Sequence, residues 1–210
     1  MSDLPPVDHL VYAVPSLEQA IDSLERILGV RAVASGRHLD EGTWNALIAL
    51  GPDRYLEIIA PDPDQPAPVG PRWFSLDSIT APGLVAWAAR GTHLEQRAEA
   101  AERVGLRLGR VKGGSRQQPD GQALSWVFTD PHTLLGDGLV PFLIDWGTGP
   151  HPAQRATPGV TLVSLRAEHP APEEIRAMLR AVDIDMGVGV GPRAALVATL
   201  ETPRGQVELR

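Results

Sequence analysis

Apolar residues along this chain alternate with polar ones, fall into helical spacing, and alternate again, and the cycle occurs three times. The first stretch is Val7-Asp8-His9-Leu10-Val11-Tyr12-Ala13-Val14, where a side-chain period of two predicts a strand. Leu17, Ala20, Ile21, Leu24, Ile27 and Leu28 then recur at the spacing of one helix face, which predicts a helix over 16–28. Ser16-Leu17-Glu18-Gln19 reads as its capping box and Gly29 as its C-cap. Strands are expected to follow at 30–37, 43–50 and 55–60.

The second cycle opens with a strand over 84–90. Thr92-His93-Leu94-Glu95 is a second capping box, and Leu94, Ala98, Ala101 and Val104 give the apolar stripe of a helix over 93–104 that Gly105 ends. Strands are expected at 106–112, 123–129 and 141–146, with Gly113 to Gly121 as a hairpin loop. The third cycle predicts a strand over 160–167, a helix over 172–181, and strands near 184–190, 193–200 and 206–209. Each cycle is a βαβββ module too small to close a core by itself, so the modules should pair sheet to sheet.

The expected fold class is therefore α+β, with cupped mixed sheets and helices on the outer face. One domain over 1–210 is built of modules 7–60, 84–147 and 160–209. The joints 61–71 and 147–158 are rich in proline and glycine, and the first is long enough to form a rim or lid. An odd module count leaves Leu162, Leu165, Leu196, Val197, Leu200 and Val207 as an apolar face without an obvious partner. That face either caps the first two modules or meets its copy in a two-fold dimer, and the dimer is favoured.

Composition narrows the function. A hydrophobic share of 43% and a charged share of 21% are those of a soluble globular chain. The net charge of -7, with no lysine or arginine cluster, argues against a nucleic-acid partner. Absence of cysteine excludes disulfides, thiolate metal sites and cysteine nucleophiles, and fits a reducing cytosol. No basic leader precedes an apolar run at Met1-Ser2-Asp3-Leu4-Pro5-Pro6, and no stretch approaches the roughly 20 apolar residues of a membrane span. A cytoplasmic location and no membrane partner are the expectations. The run Gly187-Val188-Gly189-Val190-Gly191 lacks the lysine and capped helix of a phosphate loop and reads as strand and turn.

His9 and Glu57 stand out as ionisable groups inside apolar strands, where an unpaired charge is costly. Parity puts His9 with Val7, Val11 and Ala13, opposite Leu10, Tyr12 and Val14, and Glu57 with Tyr55 and Ile59, opposite Leu56 and Ile58. Both should look into one cavity, close enough to share an ion or a water. Either residue alone reads equally as a hydrogen-bonded structural group. Asn45 orients a ligand carbonyl or satisfies backbone, Trp126 and Phe128 form a pocket wall or plain core, and Arg116 grips an anion or is a solvated loop charge.

Several of these stretches together resemble a family. Val7 to Val14, Gly36-Arg37-His38, Gly42-Thr43-Trp44-Asn45-Ala46-Leu47 and Tyr55-Leu56-Glu57-Ile58-Ile59-Ala60-Pro61 look like a glyoxalase-like domain of the vicinal oxygen chelate superfamily. The likeness continues through Trp73-Phe74, Leu84-Val85-Ala86-Trp87-Ala88, Arg116, Pro119-Asp120-Gly121 and Pro141 to Gly147, and is firmest over the first two thirds. It implies paired modules cupped around a divalent metal and a small-molecule ligand. His9 and Glu57 match the first- and last-strand ligands of module one. Module two departs: its first strand offers Trp87 and its last offers Asp145 as a third ligand, with His38, His93 and His151 in reserve. His151 and His169 otherwise look like loop residues without a role.

The function the resemblance implies is a metal-assisted enzyme of lyase or isomerase type on a small oxygenated substrate. Glu57 serves there as ligand or as catalytic base, and Asn45, His38, Arg116 and Trp126 as substrate contacts. A metal-free protein that sequesters a small molecule is the alternative, and a ring-cleaving iron dioxygenase the third.

Overall fold

The computed structural model describes residues 4–117, 121, 123–132 and 134–210. The N-terminal residues 1–3 and the hairpin residues 118–120, both read above, lie outside those described. Module one is β1 (Val7–Ala13), α1 (Leu17–Leu28), β2 (Val33–His38), β3 (Thr43–Gly51) and β4 (Arg54–Pro61). Module two is β5 (Gly83–Arg90), α2 (Leu94–Arg103), β6 (Val111–Gln117), β7 (Ala123–Thr129) and β8 (Phe142–Asp145). The third is β9 (Thr161–His169), α3 (Pro172–Arg180), β10 (Val188–Val190), β11 (Ala195–Thr202) and β12 (Gly205–Leu209).

The first two modules close into a barrel with strand order β1-β4-β3-β2-β6-β7-β8-β5. Within each module the first and last strands run parallel, and the other pairings are antiparallel. The modules meet along β1 and β5 over most of their length, and along β2 and β6 through the pair Arg37↔Gln117. Alternation sorts the side chains as the sequence pattern requires. Leu10, Val14, Leu56 and Ile58 pack outward into the main core with Leu17, Leu24 and Leu28 of α1, while Val11, Ala13 and Ile59 face the bore. Val7 departs from the expected parity and packs outward, because the β1–β5 register slips between Val7 and His9.

The third module forms a separate sheet of order β10-β9-β11-β12 laid against the barrel's outside, with β11 near β5 and β9 near β3. Leu162, Leu165, Leu196 and Leu200 join the same core as Leu10 and Trp87. The apolar face that suggested a dimer is therefore covered by the chain's own barrel.

Two local expectations are corrected. The helices lie where periodicity puts them, but neither capping box forms. Ser16 makes no cap bond to backbone, and α2 begins after His93, at φ 54, again without a side-chain cap. Strand β6 is also shifted, since residues 113–117, read as a hairpin loop, are strand. Glycine there signals close approach instead of a turn. A Cβ on Gly114 would stand 2.5 Å from the Trp126 indole, so only glycine lets that ring lie across β6. Leu106 and Leu108, the apolar residues that suggested the earlier start, are buried in the core without strand pairing.

Candidate functional site

The bore of the barrel holds a cavity with a polar and an aromatic half. Its polar half is His9, His38, Asn45, Tyr55 and Glu57 from module one, with Arg116 from β6. Its aromatic half is Trp73, Phe74, Trp126, Phe128, Phe142 and Trp146. Trp73 and Phe74 come from a short 3₁₀ segment, Trp73–Ser78, which follows the 61–71 joint and lies against the cavity. Phe74 and Ser75 both hold φ near +56, a conformation costing roughly 1 kcal/mol or more for each L-residue.

His9 is 3% exposed and Glu57 7%, and His9 Nε2 lies 3.7 Å from Glu57 Oε2. The two residues thus share one cavity, as strand parity requires. Asn45 Nδ2 donates to Glu57 Oε1 at 2.5 Å, and Arg116 donates to Asn45 Oδ1 at 3.1 Å and to Ser35 Oγ. Arg116 is accordingly no solvated loop charge but is 6% exposed, because it lies on a strand. Trp126 and Phe128 both face the bore. His38 lines the cavity from the end of β2, with its Nδ1 3.0 Å from Thr43 Oγ1. Burial, above all, takes its pKa down to about 4; Glu57 draws it up, and Arg116 and His9 push it further down. Burial also raises the Tyr55 hydroxyl well above its usual range, with Glu57 and Asp8 adding to the effect.

Asp145 is not brought to this group. Ile144 and Phe142 are the bore-facing residues of β8, and Asp145 accepts from the Gly147 backbone N–H at 2.8 Å. Module two's first strand likewise turns Ala86 and Ala88 inward, while Trp87 points outward and donates to Leu139 O. His93 sits at the start of α2.

Asp8 escaped the sequence reading, and His151 entered it only as a reserve ligand or a loop residue. Asp8 is wholly buried, and His9 Nδ1 lies 2.9 Å from its Oδ1. His151 Nε2, from the joint after module two, reaches Asp8 Oδ2 at 3.1 Å, and Trp146 Nε1 donates to both carboxylate oxygens at 3.1 Å. Burial would raise the Asp8 pKa, but the hydrogen bonds from His151 and His9 outweigh it and hold the carboxyl well below the usual range. Strict alternation places Asp8 opposite His9, and the register slip beside it leaves no trace in composition. Its neighbour His9 was the available signal; His151 was visible only as a reserve imidazole in the joint, with no sign of its partner.

Residues 7–182 match the glyoxalase-like domain family, and the chain belongs to it, within the vicinal oxygen chelate superfamily. A hypothetical protein from Staphylococcus aureus shares the fold at a TM-score of 0.62 and 12% identity, over 98% of this chain and 84% of that one. A mutant of 4-hydroxymandelate synthase from Streptomyces coelicolor aligns at a TM-score of 0.53 and 14% identity, over 98% of this chain and 63% of its own. Methylmalonyl-CoA epimerase from Mycobacterium tuberculosis aligns at a TM-score of 0.39 and 20% identity, over 69% of this chain and 89% of its own. A search of curated proteins finds no match in sequence.

Members of this superfamily typically bind divalent metals, and a protein-held catalytic ion ordinarily has three side-chain ligands. Among the described residues no three His, Asp or Glu side chains converge as a metal-binding group. His9 and Glu57 approach one another, Asp145 points away, and the module-two wall offers Ala88, Phe142 and Ile144. The described residues do not form the expected His9, Glu57 and Asp145 site, nor the two-imidazole, one-carboxylate set of a ring-cleaving iron enzyme.

Proposed function

We propose that this chain binds a small oxygenated molecule in the barrel and moves a proton on it, as an isomerase or lyase does. The observation that carries this reading is the approach of His9 Nε2 to Glu57 Oε2, 3.7 Å apart, where the polar half of the cavity meets the aromatic half. The aromatic side chains take the apolar body of the ligand. Glu57, pinned by Asn45, withdraws a proton from carbon beside a carbonyl and returns it to the neighbouring atom, while His9, backed by Asp8, holds the ligand oxygen. The Arg116 guanidinium behind Asn45 supplies positive charge to the enolate that forms between the two steps.

The test is hydrogen exchange in D2O with 2-hydroxyacetophenone, an aromatic α-hydroxy ketone, followed by proton NMR. Loss of the carbon-bound hydrogens is expected with the unaltered protein, and roughly 100-fold slower exchange with Glu57→Gln. Binding of the ketone with no exchange would overturn the proton-transfer reading. It would support sequestration of an aromatic compound, which the wall of Phe142, Ile144, Trp126 and Phe128 favours as the second reading.

A further inference from the structure

Around the base of the cavity Asp8, Asn45, Arg116 and His151 are each held by a short contact, but one pair is left with a gap. His9 Nε2 and Glu57 Oε2 stand 3.7 Å apart, too far for a direct hydrogen bond. Neither side chain is free to close it. Tyr55 stacks on the imidazole at 4.7 Å with an interplanar angle of 16°, and Phe142 meets it edge-on at 5.5 Å. Glu57 is held through its other oxygen by Asn45.

The proton positions behind the gap follow from the bonding. His151 Nδ1 accepts from the Ala153 backbone N–H at 3.2 Å, so the ring proton of a neutral His151 is on Nε2 and is donated to Asp8. An indole nitrogen only donates, so Trp146 also gives its hydrogen to Asp8. Arg90 Nε adds a further positive group at 3.5 Å. An ionised carboxylate can only accept, so His9 Nδ1 carries a hydrogen toward Asp8 and its Nε2 is turned to Glu57.

We propose that this gap is a receptor for one hydroxyl group of the ligand, a phenolic or enolic O–H, and that Asp8 and His151 are the positioning residues that build it by holding His9. The proposal rests on the small-molecule reading above and names the group recognised. An oxygen placed on the cavity side reaches both atoms at about 2.8 Å, an ordinary hydrogen-bond length. A hydroxyl both donates and accepts, so it can give its hydrogen to one of these two atoms while its oxygen faces the other. An ether oxygen cannot donate to Glu57 and leaves that carboxylate facing an acceptor. The aromatic side chains beyond the gap seat the ring or conjugated chain to which such a hydroxyl is attached.

Anisole carries a methyl where phenol has the hydroxyl hydrogen, and neither has an acidic carbon–hydrogen bond, so their binding reads the receptor apart from proton transfer. Nitrogen-15 NMR of the unaltered protein should show His9 with hydrogen on Nδ1, and phenol should shift its Nε2 signal. Phenol should bind at least about 10-fold more tightly than anisole. Asp8→Asn and His151→Gln should each erase that preference, so that phenol and anisole bind the variant equally. If Asp8→Asn fails to fold, His151→Gln and the NMR of the unaltered protein still decide. Equal affinity for the two probes, binding of neither, or a His9 protonated on Nε2 alone would overturn the proposal. So would stoichiometric metal in protein purified without chelators, since a cation would then occupy the gap. Failure of deuterium exchange with phenol preference intact would refute the proton-transfer reading and leave the receptor standing.

Discussion

His38 lies beneath the cavity with almost no contact with water, and its pKa of about 4 against an ordinary 6.5 is chiefly the cost of burying an imidazolium. Between those two values the unfolded chain binds a proton that the folded chain refuses. The contribution to stability is complete above about pH 6.5, is lost as pH falls toward 4, and is constant below that, at most roughly 3 kcal/mol in all. The melting temperature should therefore drop through this range, and His38→Gln, which keeps a polar group near Thr43, should flatten the drop. An identical slope in the variant would assign the acid sensitivity to other groups. The same residue shows what was legible at this scale. His38 was visible as a polar candidate at a strand edge, but its neutrality depends first on burial, reinforced by Arg116 and His9 from two other strands against the pull of Glu57.

At the scale of elements, two glycines carry packing that no propensity argument describes. At Gly114, in β6, an added Cβ would meet the Trp126 indole at 2.5 Å; at Gly138, φ +87, it would meet the Val85 carbonyl oxygen at 1.9 Å. Side chains shift more readily than backbone. Gly114→Ala should thus cost about 1–3 kcal/mol, as overpacking does, and push Trp126 into the cavity. Gly138→Ala should cost more, since left-handed strain adds to a clash with main chain. Urea unfolding of both variants checks the order, and tryptophan emission reports the ring. A Gly114→Ala protein with unchanged stability and emission would mean that β6 yields freely. Periodicity located the helices and most strands because burial of one face is a local pattern, whereas Gly113 and Gly114 looked like a turn because their packing partner lies on another strand.

For the whole molecule, the third module is the element whose placement changes the expectation most. Leu162, Leu165, Leu196 and Leu200 are buried against the barrel, and the backbone is tied there by Ala49 N–H to Thr157 O at 2.9 Å and Leu84 N–H to Arg210 O at 3.0 Å. Because this sheet shares its core with Leu10 and Trp87, we expect it to unfold together with the barrel. Leu200→Asp, which buries an unpaired carboxylate, should lower stability by several kcal/mol and unfold the chain. At a dimer interface the same change would instead leave folded monomers, so light scattering together with circular dichroism separates the cases.

The sequence alone determined the three βαβββ modules, the helix positions, and the turning of His9, Asn45, Glu57, Trp126 and Phe128 toward one side, since each is a consequence of local period. Tertiary structure decided the rest. A register slip between β1 and β5 turned Val7 outward beside a buried Asp8, and a joint more than a hundred residues later brought His151 to that carboxylate. Barrel closure put Arg116 beside Asn45 and left Asp145 facing away, and docking of the third sheet used the face that a dimer would have needed. Period is a property of neighbours along the chain, while register, closure and docking are set by contacts between segments whose separation in sequence carries no signal of their meeting.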